Sequence, residues 1–204
     1  MTTVYKLTTQ DMKTYGGFTW KLGATQTAPG GGELCTDRWL HAYTDPLVAS
    51  LLNPAHANIS DPRLFRAEGE VGADDHGLKV GCTSLTLVEE LKVPQVTTEQ
   101  RVRFAVLCAL EVSRDEAWKK WAWGWLSGKD RSAEAAYAAA ANAAANAAYA
   151  AAYAARAAAY AARAAVNAAY AAAYAAAHAA DAAVHAARAA PIDLPKLARK
   201  AVAE

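Results

Sequence analysis

The sequence predicts an α+β protein in which a small mixed or antiparallel sheet is followed by helices ending in a long alanine-rich α-helix. Short alternating segments with turn residues fill the first ninety residues, and helix-capping signals follow at residues 97 and 113. From residue 133 to 190 the chain has 40 alanines in 58 residues. We expect a head domain at 1–96, a tryptophan-rich helical connector at 97–131, one long helix at 132–190 and a short helix at 191–204.

The head is predicted to consist of short strands and one helix. Residues 4–7 and 18–22 have the apolar alternation of half-buried strands. Residues 65–71 and 78–88 predict a hairpin across an acidic turn at 73–77. Asp45, followed by a proline, predicts the N-terminus of a helix that runs to residue 52.

The connector contains two capping patterns. Thr97-x-x-Gln100 predicts a capping box that opens a helix at 101–112. Ser113-x-x-Glu116 has the same pattern and predicts a second helix, which carries four tryptophans and stops at Gly128. Such a tryptophan-rich helix could stack on bases or sugars. Three of the tryptophans, however, share one helix face, which is more typical of a core or an interface. These are Trp118, Trp121 and Trp125.

The larger residues of the alanine tract recur with a helical period. From Asn142 to Arg188 they are separated by three or four residues, with a mean of 3.54. Only an α-helix turns this spacing into a continuous stripe, and alanine has the highest intrinsic helix propensity. The tract is therefore predicted to be helical throughout.

The length of such a helix leads to the prediction of self-association. At about 1.5 Å per residue, 58 helical residues extend roughly 87 Å, which is more than a head with a diameter of about 36 Å covers. We expect the tract to pack against the same tract in another copy. The alternative is that it breaks into antiparallel segments within one chain. The predicted interface is the stripe of larger side chains, whose buried or exposed state stays open: Tyr149, Tyr153, Arg156, Tyr160, Arg163, Asn167, Tyr170 and Tyr174.

Candidate catalytic chemistry is confined to one segment. Cys35 and His41 could form a nucleophile–base pair, although a buried cysteine and a structural histidine explain the same residues. Three cysteines without a C-x-x-C pattern predict neither a disulfide framework nor a zinc site. His178 and His185 are two helical turns apart, about 10 Å, which is too far for one metal ion. No metal site and no cofactor is predicted.

Charge and hydropathy exclude several partner classes. Lys and Arg total 21 against 20 Asp and Glu, so the formal net charge of +1 argues against nucleic acid or an anionic membrane as partner. No uninterrupted apolar stretch reaches the roughly 18 residues of a membrane span. The N-terminus lacks the pattern of a secretory signal. We expect a soluble, intracellular protein.

The head contains four short motifs: Phe-Thr-Trp-Lys-Leu-Gly at 18–23, Leu-His-Ala at 40–42, Leu-Lys-Val-Gly-Cys at 78–82 and Leu-Val-Glu-Glu-Leu at 87–91. They resemble an uncharacterised domain family found in tailed-phage and metagenomic sequences. Residues 98–112 and 125–132 are similar to a form of that family with an alanine-rich C-terminal part. The resemblance implies a phage or mobile-element origin, and with it a protein of the host cytoplasm or of a virion, and it supplies no activity.

Together these features predict a non-enzymatic structural or interaction protein that forms a homo-oligomer through its alanine-rich helix. A first alternative is a phage counter-defence module that captures a host protein or a nucleotide-like ligand. A second alternative is an enzyme that uses Cys35 and His41.

Overall fold

The structure, a computed structural model of the chain, describes residues 1–149, 153–168 and 172–203, without the side chains of 143–149, 153–155 and 172–173. The chain forms two compact units, which we call the sheet unit (Met1–Gln95) and the helical unit (Val96–Glu204). The described residues form five antiparallel strands and seven α-helices, with the sheet first. The predicted α+β class is confirmed.

The sheet unit is built around one long hairpin. Its strands are β1 (Thr2–Thr8), β2 (Thr25–Thr27), β3 (Leu40–Ala42), β4 (Arg63–Asp74) and β5 (Val80–Leu91). β4 pairs with β1 on one side and β5 on the other, and β2 and β3 both pair with β5. Tyr5 of β1 also exchanges backbone hydrogen bonds with Tyr43, directly after β3. The sheet therefore curls until its two sides meet.

Alternating side chains of the curled sheet fill its interior. Val4, Phe65, Leu85 and Leu87 are fully or almost fully buried there, together with Trp20. Helix α1 (Pro46–Leu52) packs against β1. It begins as the sequence predicts, because the Asp45 carboxylate accepts hydrogen bonds from the amides of Leu47 and Val48.

A close-packed aromatic residue sets the spacing between the loop at 28–39 and the hairpin. Trp39 lies against Gly72 and Gly81, where an added Cβ would come within 2.8 Å and 2.9 Å of its ring atoms. Larger residues at these two strand positions would displace the indole. The backbone of both strands can approach Trp39 because these positions lack side chains.

One predicted strand is absent, and two observed strands were not predicted. Residues 18–22 do not form a strand, because Thr19 makes only a single bridge to Lys13 while Trp20 turns into the core. Strands β2 and β3 were not predicted, since three residues are too few to show an alternating pattern. Their extended form depends on pairing with β5, which is distant in sequence.

The helical unit surrounds a central apolar helix. Helix α2 (Thr98–Val112) is buried from Val102 to Ala109 and packs against α3, α5, α6 and α7. Its segment 104–110 is apolar on all sides, as expected of a helix in the middle of a bundle. The remaining helices are α3 (Glu116–Leu126), α4 (Ala133–Tyr149), α5 (Tyr153–Ala168), α6 (Ala172–Ala189) and α7 (Leu194–Val202).

The caps of α2 and α3 illustrate one correct and one wrong prediction. Thr97 and Gln100 form the capping box that their spacing predicts. The N-cap of the second helix lies two residues later than predicted, because Asp115 rather than Ser113 accepts the hydrogen bond from the Trp118 amide. Gly128 follows α3 with a φ of +73°, the left-handed conformation that glycine adopts without strain.

The single long helix predicted for 132–190 is wrong. The described parts of the tract are three helices, α4, α5 and α6, and α5 packs against both of its neighbours. Three residues separate α5 from α6, and such a connection spans at most roughly 14 Å. The same spacing separates α4 from α5. Consecutive helices must therefore run antiparallel, as in the alternative that the sequence left open.

Many of the described alanines of the tract are buried within the chain itself. Ala157, Ala161 and Ala164 of α5 and Ala182 and Ala183 of α6 are fully buried. Both helices pack on α2, whose larger side chains supply the volume that alanine lacks. The Trp118 indole N–H donates a hydrogen bond to the Ala158 carbonyl, 3.0 Å away. The premise that this surface needs a second copy to cover it does not hold.

Candidate functional site

The predicted pair Cys35 and His41 have different partners in the sheet unit. Cys35 is exposed, and its sulfur accepts a hydrogen bond from Lys79 Nζ at 3.1 Å. His41 lies on β3 and uses Nε2 to donate to the Leu34 carbonyl. Burial lowers the pKa of His41, and the charges of Lys6 and Lys79 lower it further, while the Leu34 hydrogen bond opposes them. Nucleophile–base chemistry at this pair stays a prediction.

A buried cation lies beside His41. Lys6 is 8% exposed, donates from Nζ to the His41 carbonyl, and lies 5.0 Å from the Trp20 ring centroid. Desolvation lowers the pKa of Lys6 to about 8, and the same effect raises the pKa of Cys82 to about 11. The amine loses its proton before the thiol does, so the two do not form an ion pair near neutral pH.

In the helical unit, larger side chains of the alanine tract contact one another between α5 and α6. The Tyr160 ring is stacked between His178, with centroids 5.6 Å apart, and His185, at 5.1 Å. The Arg163 guanidinium lies over the same Tyr160 ring at 5.8 Å, which is a cation–π contact. The centre of the stripe therefore forms a seam between α5 and α6.

His178 and His185 are largely uncharged near neutral pH, and the Tyr160 ring separates them. Burial lowers the pKa of each, and Asp181 opposes the shift in both. Arg163 adds to the lowering at His178, whereas Arg156 and Arg188 do so at His185. Because Tyr160 lies between the two imidazoles, they cannot share one metal ion. Among the described residues, no group of three or more His, Cys, Asp or Glu side chains is arranged for a metal.

A cavity of about 390 Å³ opens beside this seam. It lies among α4, α5 and α6, and its described lining combines a phenol, a guanidinium, a carboxamide and an imidazole with small apolar side chains. The polar members are Tyr137, Arg163, Asn167 and His178. These groups can bind an anion, donate and accept hydrogen bonds, and stack on a ring.

The outer members of the stripe are exposed where their side chains are described. Tyr174 is 67% exposed, and Arg156 and Arg163 are also exposed. Tyr137 of α4, which the predicted stripe omitted, is 57% exposed. The side chains of Tyr149 and Tyr153, and the whole of Tyr170, lie outside the described residues.

Sequence reasoning missed several residues of these sites. Lys79 was not linked to Cys35 because the two are 44 residues apart. Lys6 was assigned only to a strand, although Val4, Lys6 and Thr8 share one strand face and Val4 is apolar. Tyr137 was omitted because it lies five residues before Asn142, the first residue of the stripe, which breaks the spacing of three or four residues.

Comparison with known proteins gives one match. Residues 2–99, just under half of the chain, match a family described as a domain of unknown function (DUF7666). The match covers the sheet unit and the first two residues of α2, and it accords with the expected uncharacterised family. Comparisons with curated proteins and with solved structures give no match.

Hydropathy gives one further structural finding. None of the helices in the described ranges combines the length and the apolar character that crossing a membrane requires.

Proposed function

We propose that this protein is a non-enzymatic interaction protein that self-associates through the exposed face of α4, α5 and α6. We call this the aromatic–basic face and define it by Tyr137, Arg156, Arg163 and Tyr174, whose side chains are all exposed. The exposure of these two tyrosines and two guanidiniums on three helices that pack on one another is the observation on which the proposal rests.

The composition of the face favours a protein partner. Tyrosine and arginine are enriched in protein interfaces and in their energetic hot spots. The face is also self-complementary, because a guanidinium from one copy can lie over a tyrosine ring of the other, as Arg163 does over Tyr160 within the chain. In a two-fold dimer each such contact occurs twice.

The physical reason for self-association differs from the one that the sequence suggested. Buried alanine methyls do not need a second copy, because α2 and the neighbouring helices of the tract cover them. The proposal depends instead on the larger side chains of the tract that are exposed to solvent. A net charge of +1 produces little repulsion between copies.

The test measures mass in solution. We expect multi-angle light scattering to give an oligomer for the wild type and a monomer for the double variant Tyr137→Ser, Tyr174→Ser. The matched control is Tyr15→Ser, which removes a fully exposed tyrosine of the sheet unit and should leave the mass unchanged. A wild-type monomer at about 100 μM, a concentration at which micromolar complexes form, would refute the proposal.

The cavity lining favours a second candidate function, the capture of a nucleotide-like ligand. Its volume of about 390 Å³ falls in the range of small-molecule sites. Arg163 offers a bidentate contact to phosphate, and Tyr137 a surface on which a base can stack. The cavity also contains His178, which the lowered pKa keeps neutral near pH 7 and able to accept or donate one hydrogen bond.

Calorimetry with adenosine monophosphate, adenosine and inorganic phosphate tests this candidate. We expect the monophosphate to bind most tightly. Losing a charged hydrogen bond in Arg163→Gln should weaken it about tenfold or more. Arg156→Gln is the control, since it removes the same charge from the same helix outside the described cavity lining. Equal affinity for adenosine and the monophosphate would contradict an arginine–phosphate contact.

A phage or mobile-element origin, with the host cytoplasm or the virion as the place of action, is part of the proposal and rests on the resemblance of the motifs. We propose no reaction for Cys35 and His41. The Cys35 thiol accepts a hydrogen bond from Lys79, and the His41 imidazole donates one to the Leu34 carbonyl.

A further inference from the structure

One tryptophan of α3 is not part of the core. Trp118 and Trp125 are 1% and 4% exposed, whereas Trp123 is 55% exposed on the opposite side of the helix. An indole of this size in water gives up the stabilisation that burial of its apolar surface provides. Neither the fold nor the aromatic–basic face accounts for Trp123.

A cavity of about 260 Å³ lies beside Trp123, between α2, α3 and α7. One part of its lining is apolar, with Trp123, Leu107 and Leu126. The other part carries two cations and a hydroxyl, from Arg103, Lys200 and Ser127. A ring and a negative charge can therefore be bound at the same time.

Two cationic side chains, Arg103 and Lys200, line this cavity. Arg103 is 8% exposed, and its Nη2 lies 3.7 Å from Glu99 Oε1. The same carboxylate oxygen lies closer to Arg131 Nη1, at 2.9 Å. Glu99 thus contacts both guanidiniums, and Lys200 places a second cation in the cavity lining. An arginine fixed by burial loses little side-chain entropy when it binds an anion.

We propose that the cavity defined by Arg103, Leu107, Trp123 and Lys200 binds a small organic anion with a single aromatic ring. The ring lies against Trp123 and the leucines, and the anionic group pairs with Arg103 and Lys200. The volume of about 260 Å³ limits the ligand to one ring, because drug-sized molecules occupy larger pockets. Carboxylate and phosphate groups both suit a guanidinium, so the test includes one probe of each kind.

Nuclear magnetic resonance of the full chain tests the proposal. Each tryptophan gives one indole N–H signal, and Trp123→Phe identifies the signal of Trp123. We expect phenylacetate or phenyl phosphate to shift it with a dissociation constant of about 1 mM or tighter. Acetate has no ring and 2-phenylethanol has no charge, and both should bind at least several-fold more weakly. If phenylacetate binds more tightly than phenyl phosphate, the cavity recognises a carboxylate. If phenyl phosphate binds more tightly, it recognises a phosphate.

Two lysines of α7 provide a matched pair of variants. Lys200→Gln removes a charge from the cavity lining, whereas Lys196→Gln removes one from an exposed position one turn earlier. We expect only Lys200→Gln to weaken binding, by threefold or more, with the spectrum of the unbound protein otherwise preserved. No shift of the Trp123 signal by either anion at about 10 mM, or equal weakening in both variants, would overturn the proposal. Equal binding of 2-phenylethanol would also overturn it, because the cations would then have no part in recognition.

Discussion

Lys6 is a buried charge without an acidic partner. Its ammonium group contacts the His41 carbonyl and the Trp20 ring, and no carboxylate of the described residues pairs with it. Taking an ammonium group out of water is costly unless an opposite charge compensates. Burial accordingly lowers the pKa of Lys6 from 10.5 to about 8.

This lowered pKa predicts that the sheet unit becomes more stable at alkaline pH. Between about pH 8 and 9 the unfolded chain binds a proton at Lys6 that the folded chain does not, so the free energy of unfolding rises with pH, whereas above about pH 9 the raised pKa of Cys82 opposes this rise. Below pH 8 the full penalty, about 3 kcal/mol, is present. Lys6→Met should therefore raise the free energy of unfolding at pH 7 and flatten its increase above pH 8.

Urea unfolding at several pH values measures this effect. The control is Lys21→Met, which removes an exposed lysine of the same unit and should leave both the stability and its pH dependence unchanged. A Lys6→Met protein that is less stable than the wild type at pH 7 would show that the ammonium group is compensated.

At the scale of single elements, the tract is stable because its helices pack on one another. Isolated helices of this length are marginal in water even when alanine-rich. In α5 the alanines that face α2, α4 and α6 are buried, whereas Arg156 and Arg163 are exposed. Small side chains allow the helices to approach closely, so added volume at these positions is not tolerated.

Matched alanine-to-leucine substitutions test this packing. Ala161 is fully buried in α5, and Ala138 is exposed on α4. Ala161→Leu should destabilise the helical unit by about 1–3 kcal/mol through overpacking. Ala138→Leu should change the free energy of unfolding by less than about 0.5 kcal/mol. Thermal unfolding followed by circular dichroism distinguishes the two, and equal effects would contradict a packed three-helix tract.

At the scale of the whole molecule, the nearly balanced charge predicts how association responds to salt. The proposed interface uses tyrosine rings and guanidiniums rather than paired opposite charges. Salt screens exposed ion pairs but has little effect on apolar and stacking contacts. The oligomer should therefore persist when sodium chloride is raised from about 0.05 to 0.5 M.

Sedimentation velocity across that salt range provides the measurement. Dissociation at high salt would indicate an interface of ion pairs instead. Binding of duplex DNA serves as a comparison, since an interaction with phosphates falls steeply with salt. A tight DNA complex at physiological salt would contradict the sequence-based exclusion of nucleic acid, which depends on the net charge of +1.

The sequence by itself determined the features that depend on neighbouring residues. The hairpin of β4 and β5, the Asp45 cap, the capping box at Thr97 and the helical state of the described tract all follow from local spacing and local hydrogen bonds. The separation of the tryptophans on α3 into buried and exposed sides follows from the helical period.

Only the tertiary structure decided the features that depend on distant residues. The period of the tract is nearly constant, and neither glycine nor proline occurs between α4 and α6, so nothing local indicates where the chain reverses. The reversal is favoured because α2 provides an apolar surface that the alanines can cover. The pairing of β2 and β3 with β5, the burial of Lys6 and the contact of Cys35 with Lys79 likewise join segments far apart in the chain. Contacts of this kind depend on the energy of the whole fold, which a local pattern does not contain.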